Sequence, residues 1–223
     1  MRIYAVADIH AKKEHLETIC LIATRLKPDL MVIAGDITHY FHSKSTIAKL
    51  DRLDTPIVCI RGNSDFKKIE QSLENTRNIR LLGTSPHYFK GMAFVGANGT
   101  IPLPFASRIC IREKQLLKNI LPGINKETVL VAHPPPRGVC DRVGNKFCAG
   151  SQNLFDFINT TQPKMLLCGH IHEQAGMGFI QNTLVINCAI NTIRAGAAID
   201  IEKDLPPRVN FLQPKTGNAM ESH

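Results

Sequence analysis

Five short apolar segments, each ending at or one residue before a glycine or an acidic, amide or imidazole side chain, constrain this chain more than any other feature of it. Arg2 to Ala7 leads to Asp8 and His10; Leu30 to Ala34 leads to Gly35-Asp36; Ile57 to Ile60 leads to Arg61-Gly62-Asn63. Thr128 to Ala132 leads to His133, and Met165 to Cys168 leads to Gly169-His170-Ile171-His172. Short apolar runs bounded by turn formers read as buried strands. Between the first two lies a stripe of Leu16, Ile19, Cys20, Ala23 and Leu26, the spacing of a helix with one face in the core. Lys27-Pro28-Asp29 ends it, and a shorter helix over Ser45 to Leu53 turns Ile47, Leu50 and Leu53 inward. Repeated strand–helix–strand units of this kind specify layered α/β architecture.

The second half changes rhythm. Tyr88 to Val95 reads as a hairpin about Lys90-Gly91, and a helix follows over Arg112 to Ile120. Ser151 stands where it caps a short helix carrying Leu154, Phe157 and Ile158. Phe179-Ile180-Gln181 and Leu184-Val185-Ile186 flank a turn at Asn182-Thr183, and Ala197 to Ile201 with Val209 to Leu212 form a last antiparallel pair. Strands that follow one another without helices imply a mixed sheet or two sheets, within an α/β (α+β) fold. Residues 1–214 are expected to form one domain, with 215–223 a polar, frayed tail.

The chemistry is expected where the strands end. Asp8, His10, Asp36, Asn63, His133, His170 and His172 all follow apolar segments, and ligands in layered α/β folds gather at the carboxyl ends of strands. Aspartate, asparagine and histidine together suit hard-to-borderline divalent cations. Gly35, Gly62 and Gly169 each directly precede one of these side chains, where the chain must turn sharply and pass close to an ion. Singly, Asp8 and Asp36 read equally as turn residues, and His133 before three prolines as a surface residue. The ordered series Asp-x-His, Gly-Asp, Gly-Asn, His, Gly-His-x-His is what favours a metal site.

That series resembles the calcineurin-like metallophosphoesterase superfamily, from Arg2 to about Asn187. The stretch Ala132-His133-Pro134-Pro135-Pro136, with Asp141 and Gly150-Ser151, is similar to a smaller branch of phosphodiesterase-like members. The resemblance implies a four-layer αββα sandwich, two mixed sheets flanked by helices. It implies one cation on Asp8, His10 and His172 with Asp36 bridging, and another on Asp36, Asn63, His133 and His170. Manganese, iron, zinc or nickel suits these donors. Paired ions roughly 3.5–4 Å apart make a hydroxide attack a phosphate ester and clamp its oxygens, with Asp36, Asn63 and His133 at the catalytic centre. The family usually places histidine after Gly-Asn; here the residue is Ser64, which cannot match imidazole as a proton donor near neutral pH. Arg61, Ser64 and Arg137 are the candidates for touching substrate.

Composition narrows the partners. A formal charge of +8 favours an anionic ligand without fixing its size, and Lys12-Lys13 and Lys67-Lys68 are the only adjacent basic pairs. With the resemblance, a small phosphodiester or cyclic nucleotide is the leading expectation, ahead of nucleic acid. A nuclease on the same site and a non-catalytic scaffold on the same fold are the alternatives. Seven dispersed cysteines without a C-x-x-C pair suit reduced thiols. No apolar run approaches the roughly 18 residues of a membrane span, and the first residues lack the features of a secretion signal. A cytoplasmic location is the expectation.

Overall fold

The computed structural model describes residues 1–38, 43–98, 108–144, 146–203 and 205–214; His39, His42 and the tail 215–223 lie outside the described residues. In chain order the elements are β1 (Arg2–Val6), α1 (Lys13–Leu26), β2 (Leu30–Ala34), α2 (Ser43–Asp51), β3 (Ile57–Ile60), α3 (Ile69–Glu74) and β4 (Ile79–Leu81). Then come β5 (His87–Phe89), β6 (Met92–Ala97), α4 (Arg108–Ile120), β7 (Val129–Ala132), β8 (Arg142–Val143), β9 (Phe147–Cys148) and α5 (Gln152–Thr161). The last are β10 (Met165–Cys168), β11 (Gly176–Ile180), β12 (Thr183–Asn187), β13 (Ala197–Asp200) and β14 (Arg208–Phe211).

The apolar segments become strands because both of their faces are covered. One sheet has the order β14-β13-β1-β2-β3-β4, parallel from β1 to β4, with β13 and β14 added antiparallel. The other runs β11-β12-β10-β7-β6-β5, parallel in its four central strands and antiparallel at both edges. Successive side chains on a strand point to opposite faces. Ile3, Ala5, Val32, Ala34, Val58 and Ile60 therefore meet Phe94, Val129, Val131, Leu167 and Ile186 between the sheets. Tyr4, Val6, Met31, Ile33 and Cys59 face outward onto Leu16, Ile19, Ala23, Ile47, Leu50 and Leu73 of α1 to α3. On the opposite flank, Val95, Leu130, Leu166 and Val185 receive Leu117, Ile120, Leu154 and Ile158 of α4 and α5. The result is the helix–sheet–sheet–helix layering that the resemblance implies.

Ser151 caps α5 as its sequence suggests, its hydroxyl accepting from the Leu154 amide at 3.1 Å. One turn moves by a residue. Gln181 and Asn182, with Gln181 at φ 50°, link β11 to β12, whereas Thr183 is fully buried in β12 and donates its hydroxyl to the Pro163 carbonyl. Among the described residues, no helix is long and apolar enough to cross a membrane.

Both sheets present carboxyl ends to one rim, and backbone bonds stitch that rim together. Asp8 N–H donates to Gly35 O at 3.1 Å and His10 N–H to Asp36 O at 2.9 Å, joining the loops after β1 and β2. Gly169 N–H donates to His133 O at 2.9 Å, joining those after β7 and β10. Ala7 N–H to Cys188 O and Ile190 N–H to Ala7 O, both 3.0 Å, tie one sheet to the other. Two stacked sheets thus share one loop platform.

Candidate metal centre

At this platform the backbone takes an uncommon course. Asp8, His10, Asp36 and His170 have φ of 63°, 52°, 51° and 73°, the left-handed region. It costs an L-residue about 1–3 kcal/mol where it is strained, though Asp and His tolerate it better than most. Each reversal turns a side chain back over the strand end. Two glycines make room. Gly35 sits at φ +95°, and a Cβ there would lie 2.6 Å from His133 Nδ1; a Cβ on Gly62 would lie 2.1 Å from Asp36 Oδ1. Gly62→Ala is therefore expected to push the Asp36 carboxylate out of place, lowering stability by about 1–3 kcal/mol and weakening metal uptake, as urea melts and a manganese titration would read.

The side chains converge. Asp8 is fully buried; its Oδ2 accepts the His170 amide at 2.8 Å, while Oδ1 makes no hydrogen bond. Around Oδ1 stand His172 Nε2 at 3.2 Å and the Nε2 atoms of His10 and His133, both at 3.9 Å. Asp36 Oδ2 lies 3.5 Å from His133 Nε2 and 3.7 Å from His10 Nε2. His10 Nε2 and His172 Nε2 are 3.4 Å apart. Asn63 Oδ1 is 2.9 Å from His133 Nε2, and the His170 ring packs edge-on to His133 at 5.1 Å between centroids. Two overlapping groups of donors are close enough to hold a metal ion: Asp8 with His10 and His172, and Asp8 with Asp36 and His133.

Electrostatics follow from this crowding. Burial opposes ionisation of Asp36, yet His133 and the Ser64 donors hold its carboxyl well below the usual range. Burial likewise raises Asp8, but His172 and His133 outweigh it and the net shift is downward. His133 is desolvated, and Asp36 and Asp8 nevertheless push it up to about 9. His172 is raised by Asp8, while burial lowers His10, and burial with the His133 charge lowers His170 to about 4.

These residues fit a divalent cation. A buried anionic oxygen without a hydrogen bond is unfavourable, and a cation among those imidazole nitrogens resolves it. The His133 Nδ1 faces the Ala34 carbonyl at 2.9 Å, which fixes the proton there and leaves Nε2 as the atom that would face a cation. A cation held there would displace the remaining proton of His133.

The candidate substrate residues are placed differently. Arg61 sits beside the platform with Nε on Glu70 at 2.7 Å and Nη1 on the Asp65 carbonyl at 3.4 Å. Arg137 is exposed on the loop after His133, its amide donating to Ser151 O. Ser64 turns inward: its amide donates to Asp36 Oδ1 at 2.8 Å and its hydroxyl to Asp36 Oδ2 at 2.9 Å.

Three residues have supporting roles that the sequence does not show. Asp65 is buried, with Oδ1 accepting from the Thr38 amide and hydroxyl and Oδ2 from the Ile37 and Gly62 amides, all at 2.8–3.0 Å. It clamps the loop bearing Asp36 to the loop bearing Asn63. Asp65→Ala is expected to destabilise the fold by about 3–5 kcal/mol, since four donors lose a charged acceptor at once; a fall in the urea midpoint checks this. Asn187 donates to Ile171 O at 2.9 Å and Asn191 to His172 O at 2.6 Å, fastening the turn that carries His172. The only signal for Asn187 is an amide closing an otherwise apolar strand.

Known proteins share this arrangement of elements. An uncharacterised protein of Methanocaldococcus jannaschii, MJ1162, is 26% identical over 197 residues, covering 84% of this chain and 87% of that one. The crystal structure of TT1561 of Thermus thermophilus superposes with a TM-score of 0.70 at 13% identity, covering 96% of this chain and 99% of that one. A structure described as a novel archaeal phosphodiesterase superposes with a TM-score of 0.57 at 15% identity, covering 95% and 100%. At such identities the structural matches speak for the fold. The family model described as calcineurin-like phosphoesterase matches residues 1–174, a span that holds every converging side chain of the platform, and the chain belongs to that family.

Proposed function

We propose that this chain is a binuclear metal-dependent phosphoesterase, and specifically a phosphodiesterase acting on a small phosphodiester or cyclic nucleotide. The observation that carries the reading is Asp8 Oδ1, a fully buried carboxylate oxygen with no hydrogen bond and three imidazole nitrogens within 3.9 Å. One cation is assigned to Asp8, His10 and His172 with Asp36, and a second to Asp36, Asn63, His133 and His170. Divalent cations supply the Lewis acidity that activates water and steadies the phosphate oxygens. Asp36, 3.7 Å from His10 of one assigned set and 3.5 Å from His133 of the other, would offset the repulsion of neighbouring positive charges. The imidazoles and the Asn63 amide bind as neutral donors, so the centre keeps a positive charge that attracts phosphate. Arg137, exposed beyond His133, is assigned to the outer phosphate oxygens; Arg61 reaches them only by leaving Glu70.

Ser64 bears on which leaving groups are favoured. Its hydroxyl is engaged by Asp36 and cannot protonate a departing alkoxide near neutral pH. Esters with acidic leaving groups need no such proton. Metal-stripped protein reloaded with manganese is expected to hydrolyse an aryl phosphodiester at least about tenfold faster than an alkyl phosphodiester, a difference of about 1.4 kcal/mol in barrier. Two bound metals with no turnover of either ester would instead favour a non-catalytic scaffold. The +8 charge favours a nuclease as the second reading, and cleavage of single-stranded DNA by the same preparation would reveal it.

A further inference from the structure

We infer that Ser64 is a positioning residue that pre-orients two of the assigned metal-binding side chains, Asp36 and Asn63; this inference rests on the binuclear reading above. The hydroxyl sits at the node of a closed ring of polar contacts. Ser64 Oγ donates to Asp36 Oδ2 at 2.9 Å, and Asn63 Nδ2 donates to Ser64 Oγ at 3.5 Å. Asn63 Oδ1 meets His133 Nε2 at 2.9 Å, and His133 Nε2 returns to Asp36 Oδ2 at 3.5 Å.

Two consequences follow from donor and acceptor chemistry. Ser64 grips both Asp36 oxygens, the amide on Oδ1 and the hydroxyl on Oδ2, so the carboxylate plane cannot rotate freely. Gly62 closes against Oδ1 from the other side, where a Cβ would stand only 2.1 Å away. Oδ2 is thereby aimed at the imidazoles of His10 and His133. The same hydroxyl accepts from the Asn63 amide N–H, which leaves the Asn63 carbonyl oxygen, the atom a hard cation prefers, facing His133 and the centre. The residue that removes a proton donor thus supplies order to the ligands.

Groups that orient metal ligands through hydrogen bonds change metal affinity by about 10–100-fold when removed. The test is a manganese titration of the full chain, read by electron paramagnetic resonance, for the native protein, Ser64→Ala and Ser64→Thr. Native protein is expected to bind two Mn²⁺ and to show the spin-coupled signal of an adjacent pair. Ser64→Ala should need about 10–100-fold more Mn²⁺ to reach that coupled signal, and Ser64→Thr, which keeps the hydroxyl, should restore it. Ser64→Cys, near-isosteric with a weak donor, should move in the same direction as Ser64→Ala and carries the test if the alanine variant does not fold. A pair taken up by Ser64→Ala with native affinity and signal would overturn the positioning role alone. Native protein that binds a single Mn²⁺ would overturn the binuclear reading, and the inference with it.

Discussion

Asp36→Ala is expected to lower phosphodiester turnover by at least about a thousandfold, roughly 4 kcal/mol in barrier. The size follows from how many contacts converge on one carboxylate. Oδ2 lies within 3.7 Å of both His10 and His133, and the side chain is the one shared by the two assigned cation positions. Removing it would take away negative charge that the proposed pair of cations needs, and it frees His133 from the neighbour that holds its proton. Ser64 also loses both of its acceptors, so Asn63 loses its anchor. Asp36→Asn makes the sharper comparison. It keeps the shape but substitutes a neutral amide, and the same loss there would place the effect in the charge instead of the packing. The measurement is kcat/KM for an aryl diester after manganese reloading, with bound metal counted in parallel. Activity within tenfold of native in both variants would remove Asp36 from the centre and with it the proposed function.

Much of this arrangement is visible in the sequence because the physics leaves little choice. Strands sandwiched between a second sheet and a layer of helices must be apolar on both faces, and β2, β3 and β10 emerge with the bounds their apolar runs suggest. Polar side chains at the end of such a run are conspicuous, which is why Asp8, Asp36, His133 and His170 stand out in the sequence alone. Elements of two or three residues are different. β4, β8 and β9 are too short to display a period, and α3 with six residues barely completes a turn and a half. Supporting polar residues are harder still. Asp65 follows Gly62-Asn63-Ser64 in the sequence, yet three of its four donors come from residues 37 and 38 on another loop, a placement that exists only once the sheets are assembled. The same holds for Asn191, whose task is to hold the carbonyl of a residue 19 positions earlier.

Asp65 also sets the scale of the second large effect, the response to Ser64→His. A histidine at this position is expected to raise turnover of diesters with poor, alkoxide leaving groups by about 10–100-fold at saturating manganese, below the upper range of general acid catalysis. Esters with acidic aryl leaving groups should change little, because they depart without a proton. The gain stays moderate for a reason visible in the fold: an imidazole acts well when a neighbouring carboxylate orients it, and both oxygens of Asp65 are already occupied by Ile37, Thr38 and Gly62. The new ring would reach the leaving group without that guide. The exchange also removes the hydroxyl from Asp36 Oδ2, so more manganese should be needed to reach the same occupancy even as the saturated enzyme handles poor leaving groups better. Plotting log kcat/KM against leaving-group pKa for a series of diesters separates the two effects. Proton donation flattens the slope, whereas altered metal affinity moves every point together and disappears at saturation. A variant whose slope matches the native one at saturating metal would show that position 64 does not govern departure of the leaving group, and the preference for acidic leaving groups would then have to originate in the pocket around Arg137 instead of in the missing acid.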